Sequence, residues 1–181
     1  MGLLQSHGRR GGALRRAGLS AAERFIVVHS LGDARAALDA ATSLGVGVTL
    51  ASAPGAGIYA GPGWFKAVVE TARGEFPGAA CSSVLDCGDA PGMVLAALRH
   101  GLRRVRFTGP AAAAERLADI AAQYGAVLER APLLPSLDLL DQGDPASLCR
   151  AFLAGSHTPL PPEGASDIPP RMTPPITTPD P

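Results

Sequence analysis

Apolar and polar positions divide the middle of the chain into repeated units. Phe25-Ile26-Val27-Val28-His29 is a nearly continuous apolar run, the pattern of a strand buried on both faces. Asp33 then offers an N-cap, and Ala37, Leu38, Ala41 and Leu44 recur at helical spacing up to Gly45, a C-cap residue. Val46–Ala51 reads as a second strand. A Gly/Pro-rich loop, Ser52–Gly63, leads to a helix through Phe65, Val68, Val69 and Ala72. The third strand is Ala80–Leu85, and Asp89 caps a helix carrying Met93, Leu95, Ala96 and Leu98 that stops near Gly101. Val105–Phe107 is the fourth strand. Ala111–Tyr124 is an alanine-rich helix closed by Gly125, and Ala126–Leu128 opens a fifth strand.

Each unit is strand, loop, helix and glycine stop. That alternation requires right-handed crossovers and hence an α/β fold on a parallel sheet of about five βα units. Two architectures fit: part of a (β/α) barrel, that is a half TIM barrel, or an open flavodoxin-like sheet. Beyond Leu134 the pattern weakens. Leu137–Leu140 together with Pro145–Leu153 is expected to form one short helix, with Asp144 as its cap. The domain therefore spans 24–153, between a basic leader (1–23) and a proline-rich tail (154–181). Both flanks are expected to be disordered, the tail with transient polyproline II character. Pro159-Leu160-Pro161-Pro162 also has the spacing of a docking peptide for an aromatic groove.

Composition narrows the class of partner. Formal charge is zero, which gives no reason to expect nucleic acid or a membrane surface. Apolar residues reach 46% but aromatics only 4%, so the core relies on Ala, Val and Leu and gains less per residue from burial. Cys81, Cys87 and Cys149 form no paired framework, which fits a reducing compartment and a cytoplasmic location. No apolar stretch reaches the roughly eighteen residues needed to cross a bilayer. The leader has arginines but no apolar core of the signal-peptide kind.

Parallel α/β sheets place ligands at the C-terminal ends of their strands. His29 and Ser30 follow the first strand. The second loop offers Ser52, Gly55, Gly57 and Gly61, whose backbone N–H groups suit a ligand anion, although the spacing matches no P-loop or dinucleotide motif. The third loop places Asp86 and Cys87 together before Gly88. There the carboxylate is a candidate general acid/base, and Cys87 with His29 a candidate metal-ligand pair for zinc. Tyr59 and Trp64 border the glycine loop as packing or lid residues. Arg99, His100, Arg103 and Arg104 cluster near a helix end, where positive charge complements the dipole; a phosphate role there points away from the strand ends. His7 and His157 fall in the flanks.

Val84-Leu85-Asp86-Cys87-Gly88-Asp89, followed by Leu98-Arg99-His100-Gly101 and Val105-Arg106-Phe107, resembles the first half of class II ketose-bisphosphate aldolases, the fructose- and tagatose-bisphosphate family. Val48–Gly55 and Ala60-Gly61 are similar to that family's second strand and glycine loop. The resemblance covers about Phe25 to Glu129 and implies a barrel-type fold. It also implies an acid/base role for Asp86. Cys87 stands where the family has a zinc-binding histidine, Thr108 replaces a strand-end aspartate, and the residues after Ala131 do not hold three further βα units.

The expected function is therefore a non-catalytic, aldolase-like half-barrel domain that binds a small phosphorylated or carbonyl metabolite. The alternatives are a scaffold acting through its proline-rich tail, or a metal-dependent lyase assembled as a homodimer. A half barrel leaves an edge and a face uncovered. Either self-association into a homo-oligomer or capping by residues 133–153 is expected to cover them.

Overall fold

The structure, a computed structural model, describes residues 23–155; residues 1–22 of the basic leader, residues 156–181 of the proline-rich tail, and with them His7 and His157, lie outside them. The described residues begin with strand β1 (Phe25–Val28) and helix α1 (Leu31–Leu44). Ser30 rather than Asp33 caps α1. The Ser30 hydroxyl accepts from Asp33 N at 3.1 Å, and the Asp33 carboxylate accepts from His29 N at 2.9 Å, so the two polar residues satisfy both sides of the helix start. Gly45, at φ 64°, closes α1 by donating its N–H to the Ala41 and Thr42 carbonyls.

Strand β2 (Val48–Ser52) is followed by a short helix, α2 (Ala56–Tyr59), where a plain loop is expected from the glycines. Helix α3 (Pro62–Glu75), strand β3 (Cys81–Asp86) and helix α4 (Pro91–Arg99) come next. Asp89 is not the α4 cap: Ala90 holds that position, and Pro91 at the first turn has no N–H in need of a partner. Strand β4 (Arg104–Arg106), helix α5 (Ala111–Gln123) and strand β5 (Val127–Glu129) complete the repeats. The helix expected from Leu137 onward is instead strand β6 (Ser136–Asp138) followed by a separate helix, α6 (Pro145–Leu153). Leu137 and Leu139 are buried while Asp138 and Leu140 are exposed, an alternation of period two that belongs to an extended chain. Asp144 does cap α6, accepting from Ser147 N at 3.0 Å.

All six strands run parallel in one sheet, in the order β5-β4-β3-β2-β1-β6. β1 to β5 stand in sequence order, and the order then reverses once, because β6 pairs on the other side of β1. The sheet stays open, with β5 and β6 as its two edges. Right-handed crossovers in one direction put their helices on one face, and α1, α3, α4 and α5 accordingly touch one another in sequence order.

The two faces separate by residue parity. Ile26, Val28, Leu50, Leu85 and Val105 join the helices in the main core. Phe25, Val27, Ala51 and Val84 form a second, smaller cluster to which no helix residue belongs. Leu133 packs against that cluster from the β5–β6 connection. Only six residues, 130–135, join the end of β5 to the start of β6, five strand positions away. A flat sheet separates those edges by about 24 Å, near the limit for an extended segment that must also run the length of a strand. The sheet must therefore curl, with this strap crossing its helix-free face. Contacts trace the crossing: Ala131 O accepts from Arg106 Nε at 3.1 Å on β4, and Pro135 O accepts from Phe25 N at 3.1 Å on β1. Within residues 133–153, Leu133 packs on the helix-free face, β6 pairs with β1 and α6 packs on α1, while β5 and β6 remain the sheet's edges.

The strap shares this face with a charged cluster. Arg104 bonds both oxygens of Glu23, Glu129 Oε1 at 2.8 Å and Ser82 Oγ at 3.3 Å, and it stands 5.9 Å over the Phe25 ring. Hydrogen bonding from Arg104 holds the Glu23 carboxyl below its usual range. Among the described residues no helix is long and apolar enough to cross a membrane.

Candidate functional site

Because the strands are parallel, the loops after β1, β2 and β3 gather at one rim. Asp86, at the end of β3, is the centre of that assembly and is only 3% exposed. Its Oδ1 accepts from Gly55 N at 2.9 Å and from Gly88 N at 2.8 Å, while Oδ2 pairs with Arg106. Its own N–H donates to Ser52 Oγ at 2.9 Å, and that hydroxyl donates to Ala53 O at 3.1 Å. Ser52, Gly55 and Asp86 are therefore brought together, as the sequence requires if the strand ends form one rim. The anion that Gly55 N–H holds is the carboxylate of Asp86.

The other glycines serve the same junction differently. A Cβ on Gly57 would come within 3.1 Å of Asp86 O and of Cys87 Sγ, so the absence of a side chain lets α2 sit directly on the end of β3. Gly61, at φ 84°, starts α3 and donates its N–H to Ala56 O at 3.0 Å, with open space around it.

Cys87 turns away from Asp86 into the main core and is fully buried. Burial, with the nearby Asp86 charge second, pushes its thiol up to about 12. Cys149, on the buried face of α6, is raised to about 12 as well, again by burial first. Neither sulfur is a ready thiolate near neutral pH. Disulfide-exchange labelling of native protein at pH 8 should leave Cys87 and Cys149 unmodified, with any early reaction at the half-buried Cys81. Unfolding should release all three thiols. Fast native labelling of Cys87, located by peptide mapping, would contradict the packing described here.

His29 has a different setting from Cys87, which turns into the core. Among the described residues no group of three His, Cys, Asp or Glu side chains is placed to hold a metal ion. The His29 ring nitrogen Nε2 instead meets Asp138 Oδ1 at 2.7 Å, at the end of β6. Asp138 is fixed in turn by accepting from Leu140 N at 2.9 Å. A cleft of about 170 Å³ opens beside His29, between the ends of β1 and β2 and the α2–α3 corner. Tyr59 and Trp64 form its aromatic wall; Val28 and three alanines (Ala53, Ala56, Ala60) form the rest. Tyr59 is 68% exposed and Trp64 37%, so both rings have surface to offer a ligand.

Two residues of this rim, Arg106 and Asp138, have no role assigned from the sequence. Arg106 has a visible signal, since Arg104 and Arg106 alternate on one side of a short strand. Asp138 has none, because its position beside His29 depends on β6 pairing with β1 across more than a hundred residues of chain. No family model and no curated protein sequence matches the chain.

Proposed function

We propose that this domain is a non-catalytic, aldolase-like binding module that takes a small carbonyl-bearing metabolite in the His29–Tyr59–Trp64 cleft. The observation that carries the reading is the His29–Asp138 pair at 2.7 Å beside two exposed aromatic rings at the strand ends. A carboxylate on Nε2 fixes the imidazole's orientation and leaves Nδ1 facing a ligand, where it accepts from a hydroxyl when the ring is neutral and donates to a carbonyl oxygen when the ring is protonated. Aromatic walls suit a flat, partly apolar body, while a few placed polar groups set orientation. No Lys or Arg lines this cleft, which favours a carbonyl compound over a phosphate ester at this position. Asp86, engaged on both oxygens, is assigned the role of holding the rim together.

Trp64 is the only tryptophan, so its fluorescence reports on the cleft alone. Titration with a panel of aldehydes, ketones and 2-oxo acids should give a saturable change with at least one class. His29→Ala should weaken that binding about tenfold, the loss of one well-placed hydrogen bond. Binding that His29→Ala leaves unchanged, or a panel without a saturable response, would defeat the proposal.

A further inference from the structure

We propose that the opposite end of the sheet carries a second site, for a small phosphate-type anion. A groove of about 180 Å³ lies between α3 and the starts of β3 and β4. Lys66, Glu70 and Arg73 reach it from one stripe of α3, at helical spacing; Ser82 and Ser83 come from β3, and Arg103 and Arg104 from the start of β4. It holds four cationic side chains and one carboxylate.

The partners of those cations decide what the groove can attract. Arg104 is neutralised by Glu23 and Glu129, and Lys66 stands 3.7 Å from Glu70. Among the described residues, Arg73 and Arg103 bond only neutral backbone carbonyls, those of Cys81 and Tyr124. Arg35, Arg106 and Arg150, elsewhere on the domain, each meet a carboxylate. Arg24 and Arg130 also bond carbonyls and no carboxylate among the described residues, but the groove is where two such guanidinium groups line one opening, each anchored at one nitrogen with further N–H donors to spare. Their anchors hold them on two sides of the opening, Arg73 against the start of β3 and Arg103 against the end of α5.

Two forks from different directions select an anion with three or more oxygens. A carboxylate fills one fork, whereas a phosphoryl group offers oxygens to both, and the Ser83 hydroxyl beside them is a further donor. The volume corresponds to about six waters, room for a phosphate or diphosphate. This site is independent of the rim cleft, because it lies at the other ends of the same strands.

Calorimetric titration of the full chain with inorganic phosphate and with pyrophosphate, at constant ionic strength set by sodium chloride, tests the proposal. Saturable one-to-one binding is expected, tighter for pyrophosphate. Arg73→Gln/Arg103→Gln should weaken it about tenfold or more. Each arginine also secures a carbonyl, so Ser83→Ala, which removes no structural bond, serves as the second variant and should weaken binding about threefold. Trp64 fluorescence responses at the rim should be the same in all three proteins. The inference is overturned if phosphate and pyrophosphate give no more heat than chloride, or if Ser83→Ala and the folded arginine variant bind as the parent does.

Discussion

Asp86→Ala should lower the unfolding free energy by about 3–5 kcal/mol, read as a fall in the urea midpoint at unchanged slope. Removing this carboxylate strands three groups at once. Arg106, its side chain 19% exposed, loses its only carboxylate partner among the described residues. Gly55 and Gly88 lose the acceptor for their N–H groups and with it the tie between the β2 and β3 loops. An unpaired charge and unsatisfied donors in a buried setting cost more than the intact pair contributes, because the alternative in water is lost to them. Asp86→Asn keeps an oxygen for the two glycines but not the charge for Arg106, so it should cost roughly half as much. Asp86→Ala/Arg106→Met should recover part of the loss, since it removes the orphaned cation as well. A side chain kept for chemistry alone behaves differently: its removal leaves stability intact and abolishes activity. An Asp86→Ala protein within about 1 kcal/mol of the parent would therefore displace the holding role assigned above.

Local signals identify most of the repeat and very little of its assembly. The apolar run at Phe25–Val28, the helical spacing from Ala37 to Leu44 and the glycine at 45 each state their own conformation, because the forces that decide them act within a few residues. Asp33 against Ser30 shows the limit. Both are good caps, and the choice rests on whether the helix begins at Leu31 or three residues later. Strand β6 has three residues and follows a proline, too short for periodicity to register. What makes it a strand is the free edge of β1, which no local pattern reveals. The rim shows the same division. Glycines in the second loop announce an anion-holding backbone, and one is built there. That the anion is Asp86, thirty-one residues on, depends on the register that sets Ser52 and Asp86 side by side.

Gly109→Ala should destabilise the domain by about 3 kcal/mol, at the upper end of the range for forcing an extra carbon into a filled core. Gly109 is buried in the turn after β4, beneath the ring of Phe107 two residues earlier. An added Cβ would lie 2.9 Å from Cε2 and 3.0 Å from Cε1 of that ring, and nearer still to Cζ. Phe107 cannot swing aside, being completely buried in the helix–sheet core. The backbone must move instead, and it is held on both sides. Gly109 O accepts from Arg130 Nη2 at 3.2 Å at the start of the strap, and Thr108 N donates to Gly88 O at 2.8 Å beside Asp86. Displacement of this turn therefore loads the strap over the helix-free face and the rim together. Phe107→Leu alone should cost about 1–2 kcal/mol by leaving a small cavity. Combined with Gly109→Ala it should cost less than the two changes summed, by at least about 1 kcal/mol, because a smaller side chain makes room for the new methyl. Strict additivity in that double-mutant cycle would mean that the ring is not what excludes a side chain from position 109.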